Sequence, residues 1–144
     1  MKNFILLFCL VFTTVFFAQD WQKNYTEALA MAKKQDKPLI LVFAGSDWCG
    51  PCIKLDKTIW QSEEFKEFSE EHYILYKADF PRKKANRLSE TLTAQNASLA
   101  EKYNPQGHFP LVVVLDENGN VLGNTGYVKS TPSSYIAHLN IFLK

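Results

Sequence analysis

The sequence predicts an α/β domain: a central mixed β-sheet of about four strands with helices on both faces. Three observations predict it. Pro38–Ala44 is a continuous apolar run of strand length, as expected for a strand covered on both sides. Segments with helical spacing of apolar residues alternate with such runs along the chain. Asp116–Asn120 is a turn between two strand-like segments, so the last strand folds back as a hairpin and makes the sheet mixed.

Asn24–Lys34 puts Tyr25, Ala28, Leu29 and Ala32 on one helical face, and Asp36-Lys37-Pro38 ends that helix. Gly45-Ser46-Asp47 breaks the Pro38–Ala44 strand, and a helix is expected from near Cys49 to about Lys57. Ser62 caps a further helix, Glu63–Glu71, with acids in its first turn and Phe65 and Phe68 inward. Tyr73–Asp79 reads as the second strand. Phe80–Ser89 is a basic, irregular connector. Its cations are most simply a solvated surface, and the alternative is a docking patch for an acidic partner. Thr91–Tyr103 is a helix stopped by Asn104-Pro105. Leu111–Leu115 and Val121–Val128 form the hairpin, and Pro132 opens the last helix with Ile136, Leu139 and Leu143 inward.

Residues 1–18 form a separate piece. Lys2 precedes a charge-free stretch from Phe4 to Phe17, which ends at Ala18. That stretch is too short for a spanning helix of about 20 residues and fits a secretory signal with an apolar core of about 7–15. Cleavage is expected after Ala18, although Phe16 is bulky where a small residue is preferred; an uncleaved membrane anchor is the alternative. Cys9 reads as an apolar filler of this stretch. Residues 19–144 then form one domain with two cysteines, in a compartment where disulfides persist.

The formal charge is +1, with 16 Lys+Arg against 15 Asp+Glu, so no basic excess points to nucleic acid. A composition of 47% hydrophobic and 22% charged residues is that of a globular domain rather than a disordered one. Three cysteines are too few for a disulfide-stapled mini-protein or a four-thiolate zinc site.

The chemistry gathers at Trp48-Cys49-Gly50-Pro51-Cys52, which follows the apolar strand and opens a helix. Unpaired N–H groups and the positive end of the helix dipole converge on the first thiol. Both favour the thiolate, so the pKa of Cys49 is expected below the free value of about 8.5. Only a thiolate attacks a disulfide sulfur. Cys52 lies one turn deeper on the same face, near enough to close a disulfide and more buried, which suits a resolving thiol. Pro51 stiffens the first turn, and Gly50 lets the chain approach closely. A purely structural bridge would close too small a loop to restrain the unfolded chain much. A metal or haem site lacks partners: there is no second Cys pair, and Ile53 stands where haem attachment needs His.

This motif after a hydrophobic strand resembles the active site of the thioredoxin family. The resemblance runs from about Trp21 to Lys144. Phe43–Cys49, Lys77–Arg82, Ala100–Pro105 and Gly119–Tyr127 look like the secreted single-domain thioredoxin-like proteins of Bacteroidetes type. The resemblance implies a thioredoxin-like fold and a cis bond before Pro110, where Phe109-Pro110 opens the strand opposite the cysteines. It also implies that backbone beside Pro110 pairs with substrate as an added strand, with Phe109 and Trp48 flanking the sulfurs. Two departures stand out. Thioredoxins proper carry a buried acid in the preceding strand, where this chain has Val42 or Phe43. Asp47 is a candidate substitute for proton transfer, against a simpler reading as a turn residue. The approach Gly107-His108-Phe109-Pro110 is also longer by one residue. His108 is read as an exposed loop residue with a thiolate-stabilising role as the alternative, His72 as a helix-dipole partner, and His138 as surface.

The function this implies is a secreted, periplasmic thiol–disulfide oxidoreductase acting on protein or peptide disulfides. It needs no cofactor or metal and is expected as a monomer. The Gly-Pro pair between the cysteines resembles reducing members with potentials of about −270 mV, so a membrane electron donor is expected to recharge it. The alternatives are a disulfide oxidase or isomerase, and a non-catalytic peptide-binding module. Asn24-Tyr-Thr and Asn96-Ala-Ser also fit the three-residue glycosylation pattern.

Overall fold

Strand β1 (Leu39–Ala44) has a neighbour on each side. It runs parallel to β2 (Ile74–Asp79), with Leu39 opposite Ile74 and Ala44 opposite Asp79. It runs antiparallel to β3 (Leu111–Leu115), with Phe43 opposite Leu111. β3 pairs antiparallel with β4 (Val121–Thr125), and the sheet order is β2-β1-β3-β4. This computed structural model describes residues 20–144. The expected signal, residues 1–18 with Cys9, lies outside the described residues.

Every β1 side chain is buried because the two sheet faces are covered separately. Leu39, Leu41 and Phe43 pack with Ala28 and Ala32 of α1 (Tyr25–Gln35) and Leu99 of α4 (Glu90–Tyr103). Ile40, Val42 and Ala44 pack with Cys52 and Leu55 of α2 (Gly50–Leu55), Phe65 of α3 (Glu63–His72), and Tyr135 and Leu139 of α5 (Pro132–Asn140). A continuous apolar run is what this double burial requires. Polar side chains satisfy the first turns of the helices: Asn24, Ser62, Ser89 and Thr131 accept from backbone N–H groups three residues on.

Several local expectations change. Past Leu55 the helix continues through a π-helical stretch, Asp56–Trp60, which brings Ile59 and Trp60 into the core instead of stopping at Lys57. β4 ends at Thr125 rather than Val128, because the Gly126 carbonyl accepts from the Tyr135 hydroxyl (2.8 Å) instead of a ladder partner. Tyr135 is fully buried, whereas Leu143 falls in a closing 3₁₀ turn and is 39% exposed. Trp21 forms an extra bridge to Leu75 at the outer edge of β2. His138 is half-buried and bonds the Thr125 hydroxyl (3.0 Å) rather than lying free on the surface. Asn96 is buried and accepts from the Tyr76 hydroxyl (2.6 Å), so its fit to the glycosylation pattern is coincidental.

Candidate active site

β1 ends at Ala44, and the chain turns at once into α2. The amides of Trp48 and Cys49 both donate to the Gly45 carbonyl (3.2 and 2.9 Å), which closes the turn. The Trp48 indole packs against Gly45, and a side-chain carbon there would overlap the ring. Glycine is needed at this position for that close approach. Gly50, by contrast, is exposed with nothing within 4 Å of where a side chain would start. The open space therefore faces outward from the motif; among the described residues nothing crosses close to Gly50.

Cys49 is the capping residue of α2. Its Sγ accepts the Cys52 backbone N–H (3.3 Å), and its carbonyl takes the Ile53 N–H (3.0 Å). This is the local consequence of opening a helix with a sulfur: a backbone donor of the first turn points at it. Cys49 and Cys52 form a disulfide, S–S 2.06 Å and Cα–Cα 5.2 Å. The two residues are almost equally covered, 5% and 4% exposed, so Cys52 is not set apart by depth in this oxidised state.

Beyond Gly45, three groups hold Trp48. Its Nε1 donates to the Phe80 carbonyl (2.7 Å), and Phe109 meets its ring edge-on at 5.4 Å between centroids. Phe80 and Phe109 also meet edge-on (5.4 Å). The Arg82 guanidinium lies over the Trp48 ring, 3.8 Å from its centroid. The Phe109–Pro110 bond is cis, and Pro110 is buried at the head of β3.

Asp47 is engaged elsewhere. Its carboxylate accepts from the Arg82 N–H (2.9 Å), the Lys83 N–H (2.9 Å) and the Asn86 side chain (3.0 Å). These bonds, the Arg82 amide first, hold its carboxyl below the usual carboxylate range. With three donors on its carboxylate, Asp47 anchors the connector to the turn before Cys49. His108 is exposed, and Asn104 clamps its backbone at both N–H and carbonyl (2.9 Å each). His72 stacks on Phe68 at 4.2 Å.

Two features escape the sequence reading. The first is the docking of the connector against Trp48. The second lies beneath Cys52: a cavity of about 120 Å³ lined by Val42, Ala44, Cys52, Asp56, Lys77 and Pro110 among others. Asp56 follows Cys52 by one helical turn, its N–H bonded to the Cys52 carbonyl, and its carboxylate pairs with Lys77 (2.9 Å). Cys52-to-Asp56 spacing was the available signal, and only the strand register that brings Lys77 opposite Val42 completes it.

The sequence profile of the thioredoxin-like family matches residues 20–117. Disulfide bond reductase DsbH of Chlamydia pneumoniae is 37% identical over 125 residues, covering 87% of this chain and 73% of that protein. The thioredoxin-related protein DsbJ of the same organism is 31% identical over 83 residues, 58% of this chain and 23% of that longer protein. A solved structure of a DsbH oxidoreductase superposes with a TM-score of 0.80 at 32% identity, covering 99% of this chain and 94% of that one.

Proposed function

The chain belongs to the thioredoxin-like family and is a thiol–disulfide oxidoreductase; from that premise we propose that it works as an exported reductase of protein disulfides. One observation carries the exchange chemistry, Cys49 Sγ at the head of α2 receiving the Cys52 N–H, and the similarity to a disulfide bond reductase supports the reducing direction. That donor favours negative charge on the outer sulfur, as a nucleophile requires.

In the reduced enzyme the Cys49 thiolate attacks one sulfur of a substrate disulfide. A Cys49–substrate S–S bond forms, the substrate S–S bond breaks, and the other substrate sulfur leaves as a thiolate that takes a proton. Cys52 then loses its proton and attacks Cys49 Sγ, which expels the second substrate thiolate. The substrate gains two electrons and two protons, and the enzyme is left with the Cys49–Cys52 bond. A dithiol donor must return those electrons, and we assign that step to a membrane partner. Asp56 is the carboxylate lining the cavity that Cys52 also lines, and it accepts the Cys52 proton through water; the cavity is roomy enough to hold several. Trp48 and Phe109 keep bulk water from the sulfurs, Pro51 stiffens the turn, and Gly50 leaves the approach open. Substrate backbone pairs beside Pro110 as an added strand. Residues 1–18 act as an export signal that is removed, and the domain works as a monomer in the periplasm.

Redox titration of residues 19–144 against glutathione tests the direction. A potential of about −270 mV supports the reductase; one well above about −200 mV assigns an oxidase or isomerase instead. Turnover of a protein disulfide should vanish in Cys49→Ser, and Cys52→Ala should accumulate the mixed disulfide. Unchanged turnover in Cys49→Ser would leave only a peptide-binding module.

A further inference from the structure

We infer that the basic connector is a recognition arm that selects disulfides flanked by acidic residues. The inference rests on the oxidoreductase reading and names the substrate chemistry for that same site.

The arm is fixed to the residues immediately before Cys49. Ser46 donates its N–H (2.9 Å) and its hydroxyl to the Asp79 carboxylate. Asp47 takes the Arg82 and Lys83 amides and the Asn86 side chain, and Trp48 bonds the Phe80 carbonyl. Three consecutive residues thus hold 79–86 beside the sulfurs. A loop that merely linked β2 to α4 would not require such anchoring.

The arm carries Arg82, Lys83, Lys84 and Arg87, all exposed. The ion pairs among the described residues are Lys66–Glu63, His72–Glu71 and Lys77–Asp56, so none of these four cations has a carboxylate partner. Asp47, beside Lys83, is occupied by backbone and amide donors. The acids at the end of α3, Glu70 and Glu71, lie where β2 begins, at the opposite end of the sheet from Cys49. The arm thus presents four exposed cations; of the carboxylates beside them, Asp47 and Asp79 are taken up by backbone, hydroxyl and amide donors, and Glu90 lies with Arg87 at the α4 end of the arm.

Arg82 is the central member. Its guanidinium rests 3.8 Å from the Trp48 centroid, and no protein acceptor takes its side-chain N–H groups among the described residues. Stacking holds the planar fork in place while its donors remain available for a carboxylate. Its contact with Trp48, next to Cys49, means that the anion it meets must sit on the molecule that carries the disulfide. This favours an acidic peptide over a separate anionic surface such as a lipid bilayer.

The test uses three disulfide peptides that differ only in Glu, Gln or Lys beside the cysteines. The rate of mixed-disulfide formation is measured with the Cys52→Ala enzyme, at low salt and at about 1 M salt, where the Debye length is ~3 Å. The Glu peptide should react roughly fivefold faster than the Lys peptide at low salt, and the difference should collapse at high salt. Arg82→Glu and Lys83→Glu/Lys84→Glu should each reverse the order, read as the Glu-to-Lys ratio within each variant. Equal rates for the three peptides, or a ratio untouched by both variants, would overturn the recognition role alone. No reaction with any peptide would overturn the oxidoreductase reading with it. Equal rates together with co-sedimentation of the enzyme on anionic phospholipid vesicles, lost in Arg82→Glu, would assign the arm to a membrane surface and reject the peptide.

Discussion

Burial does not distinguish Cys49, the sulfur we propose attacks, from Cys52, the one we propose resolves, since they are 5% and 4% exposed. Their surroundings do. Cys49 receives a backbone N–H at the head of a helix, which favours the thiolate. Cys52 faces a cavity shared with the Asp56–Lys77 pair, where a proton has somewhere to go. Asp56→Asn should slow release of Cys49-bound substrate on the order of tenfold or more and make that rate climb more steeply with pH. Alkylation of Cys49 in the same variant should keep its wild-type pH dependence. Lys77→Met removes the ion pair but leaves the carboxylate. An equal slowing in both variants, seen in single-turnover kinetics, would reduce Asp56 to a structural role.

At the scale of elements, the connector and the β1–α2 turn behave as one unit. Asp47 joins them, and its depressed pKa gives that joint a defined pH range. A carboxyl lowered from 3.8 on folding contributes stability above that value and loses the contribution as pH falls through its folded value. The connector should therefore stay docked at pH 5 and release only in stronger acid, below 3.8. Fluorescence of Trp48, with Trp21 and Trp60 replaced by Phe, should report that transition. Asp47→Asn should abolish the acid step and leave the connector looser at neutral pH. A transition unchanged in Asp47→Asn would mean that another group controls docking. Gly45 belongs to the same unit, because the Trp48 ring occupies the space a side chain there would need.

Across the whole molecule, the two sheet faces do different work. One holds α1 and α4 on Leu39, Leu41 and Phe43 and meets the site only through Phe80 and Phe109 at its margin. The other includes both cysteines, so the active site grows out of a packed layer. Trp60 anchors that layer: it is 1% exposed and meets Trp21, Phe65 and Tyr135 edge-on at 6.1, 4.7 and 5.4 Å. Trp60→Ala should cost about 3–5 kcal/mol, seen as a lower urea midpoint at unchanged slope. It should also disturb the cavity under Cys52, which Trp60 helps to line. A loss below about 1 kcal/mol would show that the layer closes around the gap.

The double-buried strand, the helix caps and the Cys49–Cys52 pair were legible because each depends on neighbours in sequence. An apolar run, a Ser or Asn before a helix, and two thiols one turn apart carry their physics within a few residues. The π-helical extension to Trp60 and the early end of β4 at Gly126 were not legible. Both are set by a distant partner, the core around Trp60 and the Tyr135 hydroxyl. The same division runs through the site. Local sequence determined that a cysteine stands at a helix start. The tertiary fold alone decided that Asp47 anchors a loop, that Arg82 covers Trp48, and that Lys77 meets Asp56 beneath Cys52. Those contacts join residues 21 to 39 positions apart, and groups so far separated meet only once the sheet has fixed its register.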